Sequence, residues 1–318
     1  MNIIKITKDF NTQAKCLKYL EKVRWGKVVT CPYCDSKDTR TNKNEAGRHS
    51  CRNCKRSFSP LIDTIFEDTR FPLPKFFLLI ALMLNSKKGV SAKEMQRHLE
   101  VSYKTAYYAE MRVRVGMLQP NTKLHGILEM DESYFTSVKK HPQNEEKNIA
   151  NLATVKLKRG RGSQNKISVA GIVERKGNIK TKVIEKLTKR NLLYFLKKSA
   201  KEDDSILITD GFSSYRQLSD YIEHLTINHS KEFSKGLTHV NTIEGFWSYV
   251  KNGIRGSYKS ISPKYLPLYL VEYEWKYNNR DFKGDQFEHF IKNALKTEKE
   301  LEHWKAESAE KVKEVAYE

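Results

Sequence analysis

The 318-residue chain predicts a mixed α/β core preceded by a small cysteine-rich module and a pair of short helices. Three observations carry this prediction. Four of the five cysteines form two C-x2-C pairs between residues 31 and 54, a capped helix, tight turn and second helix follow over about 91–115, and from residue 124 strand-like and helix-like segments alternate. A chain of this length divides into two or three domains. The expected bounds are 1–66 for the N-terminal segment and cysteine module, 67–120 for the helix pair, 121–296 for the α/β domain and 297–318 for a charged helical tail.

The first module is the most specific. Cys31-x2-Cys34, sixteen residues, then Cys51-x2-Cys54 is the spacing of a structural zinc site. Each pair offers two thiolates, and two pairs close the tetrahedron that structural Zn²⁺ prefers, with no open position for chemistry. So small a segment has little core of its own, so the metal supplies much of its folding energy. A pair of disulfides is the alternative, disfavoured in the cytosolic compartment expected for the chain. His49 lies close enough to substitute as a ligand, and Cys16 stands outside the set as a small buried apolar residue.

In the second module Ser91 is a plausible N-cap for a helix through His98 or Leu99, "EVS" makes a tight turn, and a second helix runs from Tyr103 to about Val115. The pattern resembles a helix-turn-helix, whose second helix lies in the DNA major groove. On it Tyr103, Lys104, Tyr107, Tyr108 and Arg112 would face bases or phosphates. Two packed core helices give a similar pattern, so the net charge matters. There are 58 Lys plus Arg against 38 Asp plus Glu, a formal charge of +20 and a pI near 9.5, which points to a polyanionic partner. Nucleic acid leads a membrane surface. The longest apolar run, "FFLLIALML" from Phe76 to Leu84, is nine residues, against about 20 needed to span a bilayer. The amino terminus, charged by its fifth residue, lacks the apolar core of a secretory signal, so the expected location is cytoplasmic.

In the α/β domain "LHGILEMDESYF" reads as a strand at the centre of the sheet. "ISVAGIVER" and "NIKTKVIEKL" read as a hairpin turning near Gly177, and "KRNLLYFLKKSA" as a helix. "SILITDG" is an almost wholly apolar strand of the kind buried on both faces, ending on Asp210. A helix around 213–221, a strand in "EHLTINHS" and the helices "SPKYLPLYLVEYEWKYNNR" and "GDQFEHFIKNALKT" complete it. The polar, basic stretch at about 138–166 reads as a flexible insertion whose Lys and Arg either touch phosphates or form a solvated loop.

"HVNTIEGFWSYVKNGIRG", residues 239–256, reads as one amphipathic helix with Val240, Ile243, Trp247, Val250 and Ile254 on its apolar stripe. Glu244 sits at the edge of that stripe, leading a row through Ser248, Lys251 and Arg255. Lys251 lies about 10.5 Å further along the axis, too far for a one-turn ion pair. Asp131 falls toward the end of the first strand, and Asp210 ends a buried strand at the carboxyl edge where open α/β sheets bind ligands. Acids in apolar surroundings are normally paired or bound to metal, and no local cation lies beside Asp131 or Asp210. Three convergent carboxylates suit Mg²⁺ or Mn²⁺. Two such ions about 4 Å apart activate a water or a 3′-hydroxyl for in-line attack on phosphate. Spacing alone leaves open whether Asp131 or Glu132, on opposite strand faces, enters the site, and whether Asn241 assists Glu244. His229 and His239 are either DNA contacts or hydrogen-bonded structural residues. Trp247, Trp275 and Tyr277 read as core.

The zinc-ribbon and helix-turn-helix order, followed by "MDESYF", "ITDGFSSY", "HVNTIEGFWSYVKNGIRGSY" and "LVEYEWKYNNR", closely resembles the bacterial insertion-sequence transposases of the ISXO type. These are members of the DDE group with an RNase H-like catalytic core. The resemblance runs from about Cys16 to Asn279 and is most specific from His239 to Tyr258. It implies an RNase H-like mixed sheet, with Asp131, Asp210 and Glu244 as the metal triad. Lys251 matches the cation with which that group grips DNA, and Arg255 follows it along the substrate backbone; the helix-turn-helix pattern itself adds Lys104, Tyr107 and Arg112 as expected DNA contacts. It also implies two Mg²⁺ or Mn²⁺ ions, double-stranded DNA as partner through terminal inverted repeats and target, and a homodimer or larger synaptic assembly at the nucleoid. A non-catalytic DNA-binding regulator derived from a transposase, and a metal-dependent nuclease without strand transfer, are the rival functions.

Overall fold

The computed structural model describes residues 2–120, 122–136, 166–227 and 239–296, which fall into two compact units. The insertion expected at about 138–166, apart from Lys166, the tail at 297–318 and His229 lie outside the described residues. One unit takes the residues up to 120 together with those from 271 onward, and the other takes 122–270.

In the first unit α1 (Ile3–Asp9) and α2 (Gln13–Trp25) start on side-chain caps from Asn2 and Thr12. A three-stranded antiparallel meander follows, β1 (Thr39–Thr41), β2 (His49–Cys51) and β3 (Ser57–Phe58). The nine-residue apolar run lies inside α3 (Leu73–Asn85), whose Leu73, Phe76, Phe77, Leu79, Ile80, Ala81 and Met83 are all buried. An all-round apolar helix of this length is a core helix, and among the described residues no helix is long and apolar enough to cross a membrane. The helix-turn-helix is α4 (Ala92–Leu99) and α5 (Tyr103–Gly116). Ser91 and Ser102 cap the two helices, and Glu100 at φ +48° makes the turn between them.

α9 (Gln286–Ala294), which the sequence places with the α/β domain, packs in this first unit. The reason is its apolar face. Phe287 closes an aromatic cluster with Phe10 and Phe77, ring centroids 5.9 and 5.3 Å away. Gly116 lets α9 approach α5, since a Cβ there would lie 3.0 Å from Phe290.

The second unit holds a five-stranded mixed sheet in the order β6-β5-β4-β7-β8. β4 (Leu124–Thr136) is central, antiparallel to β5 (Lys166–Glu174) and parallel to β7 (Ala200–Asp210). β6 (Ile179–Ile184) pairs antiparallel with β5, and β8 (Glu223–Ile227) parallel with β7. In domain order this is 3-2-1-4-5 with only the second strand reversed, the RNase H arrangement that the resemblance implies. One face buries Leu128, Met130, Ile172 and Leu207 against α6 (Lys189–Ser199) and the 3-10 turn Ser213–Asp220, expected from the sequence as an α-helix. The other face is covered by α7 (Asn241–Gly253), and Gly171 on β5 leaves room for Trp247, whose ring a Cβ would meet at 2.7 Å. The helix predicted over 239–256 thus stops at Gly253 and continues as a π turn, Ile254–Tyr258. α8 (Leu266–Asn278) follows.

The first unit also buries a charge cluster. Arg114, fully buried, donates from Nε to Glu272 at 2.8 Å and from a terminal nitrogen to Glu110 at 3.3 Å, and Lys276 reaches Glu272 at 2.6 Å. Burial alone would raise Glu272, but Lys276 and Arg114 hold it below the usual carboxylate range. Arg114 is therefore already balanced, and burial pushes Glu110 up to about 8 despite the nearby guanidinium. The folded pKa of Glu110 exceeds its unfolded value, so the stability it contributes is complete below about pH 4.5 and is lost as pH rises through about 8. Glu110→Gln should accordingly flatten the fall of the melting temperature between pH 6 and 9 relative to wild type. Parallel melting curves for the two proteins across that range would disprove a buried neutral Glu110.

Candidate functional site

The four cysteines of the ribbon come together as their spacing requires. One potential ligand atom from each of Cys31, Cys34, Cys51 and Cys54 lies within 4.8 Å of the others. Sγ separations of 3.7 Å for Cys31 to Cys54 and 3.6 Å for Cys34 to Cys51 exclude a disulfide. They match the edge, about 3.8 Å, of a tetrahedron with Zn–S bonds of about 2.3 Å. The amide N–H of Cys54 donates to the Cys51 sulfur and, opposing burial, lowers that thiol to about 6, which favours the thiolate a metal needs. His49 is not a ligand here. Its ring is buried between Trp25 and Phe58, with Nε2 2.7 Å from Glu21 and Nδ1 3.2 Å from Thr41. It fastens α2 to the ribbon. Cys16 is fully buried, and burial pushes its thiol up to about 12, as suits an inert core residue.

On α5 the amino-terminal half is presented and the carboxyl-terminal half is core. Tyr103, Lys104 and Tyr108 are exposed, and Tyr107 is half-buried and stacked on Tyr103. Arg112 departs from the expectation of a DNA contact. It is 5 % exposed and donates to the backbone carbonyls of Ile65 and Glu67 at 3.2 and 2.8 Å. The helix turns its final two turns into the core, so position 112 anchors the 65–67 segment.

The carboxylates are placed by sheet register. β4 and β7 run parallel with Met130 opposite Thr209, so Asp131 and Asp210 each stand one residue further along, on adjacent strands, at the same edge and on the same face. Asp131 also pairs with Gly171, which lies beneath Trp247 and Ile243, so that face is the α7 face. Glu132 points the other way, where it is buried and accepts a 2.6 Å hydrogen bond from the Tyr215 hydroxyl. Of the two neighbouring acids, Asp131 is therefore the one on the face that α7 covers. Glu244 is on α7 and exposed, as is Asn241, while Asp131 and Asp210 are half-buried. Burial first, then the charges of Glu132, Asp210 and Glu244, push Asp131 up to about 7. Asp210 uses Oδ1 to accept from the Phe212 amide at 3.0 Å. Lys251 is half-buried and lowered by burial, an effect that the charge of Asp131 opposes, and Arg255 is exposed in the π turn.

The fully buried acids are different residues, and sequence reasoning passed over them. Glu129, on the Asp131 face of β4, accepts from the backbone N–H of Thr242 and Ile243 at 2.8 and 3.1 Å, from the Thr242 hydroxyl at 2.8 Å and from Arg175 at 2.6 Å. Arg175 also donates to the carbonyl of His239 at 2.6 Å. The acids expected in apolar surroundings are thus at a half-open edge, and those in the apolar interior are hydrogen-bonded. Trp247 and Trp275 are core, as expected.

A four-cysteine ribbon and a helix-turn-helix, with a mixed sheet in RNase H order carrying acids at its edge, is the architecture of a DDE-type transposase. The chain belongs to the ISXO2-like transposase family: the ISXO2-like transposase domain matches residues 123–278 and the transposase zinc-ribbon domain residues 11–57. It is 24% identical over 275 residues to a protein of transposable element ISH50 from Halobacterium salinarum, covering 84% of this chain and 91% of that one. A transposase-like protein of Haemophilus influenzae is 33% identical over 110 residues, 34% of this chain and 88% of that protein. Among solved structures, a pre-cleavage Mos1 transpososome matches at TM-score 0.28 and 14% identity over 76% of this chain and 79% of that one. A Mos1 paired-end complex with the left transposon end matches at 0.29 and 14% over the same shares.

Elemental analysis should find one zinc per chain, and Cys51→Ser should lose it together with the amide protection of β1–β3. Structural zinc contributes about 10–16 kcal/mol in small modules, more than this ribbon's core can replace. A metal-free wild type with an intact ribbon would refute the assignment.

Proposed function

We propose that this transposase binds the terminal inverted repeats of its element and catalyses strand cleavage and strand transfer, with Asp131, Asp210 and Glu244 holding two Mg²⁺ or Mn²⁺ ions. One observation supports it above the others: Asp131 and Asp210 stand side by side on adjacent parallel strands, on the face covered by the helix that carries Glu244. The donor set fits the ions. All three are hard oxygen ligands; burial first and then neighbouring acids raise Asp131, and a bound cation would offset both. When bound, such ions supply activation of a water or 3′-hydroxyl and stabilisation of the leaving oxygen.

The chain's own residues do the rest. Lys251 and Arg255 follow Glu244 along α7 and its π turn, and hold the substrate phosphates beside the acids. Lys104, with Tyr103, Tyr107 and Tyr108, reads the DNA end from the exposed half of α5. The ribbon, fastened to α2 through His49 and Glu21, extends that contact. The net charge of +20 makes binding fall steeply with salt. Joining two ends requires a dimer or larger assembly on double-stranded DNA. A regulator derived from a transposase would need none of the three acids.

Asp131→Asn and Asp210→Asn should each abolish cleavage of end-bearing duplex while leaving its binding in place. Undiminished cleavage by either variant refutes the triad. Lys104→Ala should weaken end binding and reduce the salt slope by about 1. Arg112→Ala should instead lower the melting temperature and leave that slope unchanged, and a reduced slope would return Arg112 to the DNA surface.

A further inference from the structure

α7 begins without a cap of its own. Its N-cap residue, Val240, offers no side-chain acceptor, and the following amides of Thr242 and Ile243 would be left without partners in the interior. The acceptor comes from the sheet. Both oxygens of Glu129 are engaged, Oε2 by the two amides and Oε1 by the Thr242 hydroxyl and Arg175. Arg175 ties back to β4 through its own amide, which donates to Ile127 at 2.9 Å, and forward to the carbonyl of His239 just before α7. The result is a closed link from strand to helix start, with Glu129 fully buried at its centre and Arg175 and Thr242 partly buried around it. Glu129 and Asp131 are two residues apart on one face of β4, and Thr242 and Glu244 two apart in the first turn of α7.

We infer that Glu129 is a positioning residue for the metal site, fixing the distance between Asp131 and Glu244 by holding the first turn of α7 against β4. The inference rests on the proposed triad. Glu129 touches neither metal nor substrate in this role and acts through the helix it caps. Loss of such an outer partner typically weakens metal binding by about 10- to 100-fold. An ordinary buried hydrogen-bond cluster would lower the melting temperature and leave metal affinity alone. The two roles therefore give different results.

The test uses the full chain, with Mn²⁺ added alone as the probe and its binding followed by calorimetry without DNA. Glu129→Gln puts an amide N–H₂ where only acceptors fit, Thr242→Val removes one donor, and Thr242→Ser keeps it. The expected result is Mn²⁺ affinity reduced about 10- to 100-fold in Glu129→Gln and by a smaller factor in Thr242→Val. Thr242→Ser should equal wild type, with zinc content and end binding unchanged in all three. The half-saturating Mg²⁺ concentration for cleavage should rise in the same order. Folded Glu129→Gln and Thr242→Val proteins with wild-type Mn²⁺ affinity would overturn the inference, whatever their melting temperatures. Should Glu129→Gln fail to fold, wild-type Mn²⁺ affinity in Thr242→Val overturns it by itself. Asp131→Asn separates this failure from that of the triad. If Asp131→Asn binds Mn²⁺ like wild type, the metal site itself is refuted, and if it loses Mn²⁺ while the Glu129 and Thr242 variants keep it, only the positioning role falls.

Discussion

The parallel register of β4 against β7 is the constraint on which the site depends. Because side chains alternate along a strand, a slip of one residue would turn Asp131 into the α6 face and bring Glu132 under α7. Nothing local prevents this, since the two acids are adjacent and chemically alike. The register is held by apolar residues that alternate with them. Leu128 and Met130 belong to the cluster on the α6 face, and Leu207 opposite Leu128 continues it on β7. On the other face Gly171 admits Trp247 where any side chain would collide. Burying those groups stabilises one register by several kcal/mol at about 25 cal/mol per Å², and the acids take the positions that remain. At the start of β4, Gly126 at φ +76° accommodates the irregularity between Leu124 and Gly126, upstream of the acids.

How much of this was legible in the sequence divides along local and non-local lines. The ribbon was legible because C-x2-C spacing encodes a chelate, and the helix-turn-helix because Ser91 and Ser102 are local caps whose hydroxyls satisfy backbone amides a few residues on. The existence of the strands was legible from period and composition. Their order was not, since β4 meets β7 across nearly eighty residues and no periodicity records that pairing. α9 shows the same limit: its amphipathic pattern announced a helix, yet only the aromatic cluster with Phe10 and Phe77 decides which unit it joins.

Charged residues were the least legible, for a physical reason. The buried acids are Glu110, Glu129, Glu132 and Glu272, and three of them find partners far along the chain: Glu129 with Thr242, Glu132 with Tyr215 and Glu272 with Arg114, while only Lys276 to Glu272 and Arg114 to Glu110 are one helical turn away. Arg112 carries the same lesson with opposite sign. At helical spacing from Lys104 and Tyr108 it belongs to the presented face, and only the carbonyls of Ile65 and Glu67 reveal an anchor. A cation bonded to carbonyls and a cation waiting for phosphate are identical in sequence. They differ in what the rest of the chain brings to them.

The stretch Glu129-Met130-Asp131-Glu132 shows how a fold can set one partly open acid between two anchored ones. Neighbouring carboxylates such as Asp131 and Asp210 repel, so other groups must hold their segments in place. Glu129 ties β4 to the start of α7, two residues before Glu244. Glu132, from the opposite face, accepts from Tyr215 in the turn that begins three residues after Asp210. Each hydrogen-bonded glutamate flanks Asp131 and reaches toward the segment carrying one of the other two acids. Both glutamates are buried, where a hydrogen bond is strong and its loss is costly, whereas Asp131 and Asp210 stay half-buried and Glu244 exposed. Rigid support beneath an open rim is the arrangement that lets the same side chains be held together and still be available.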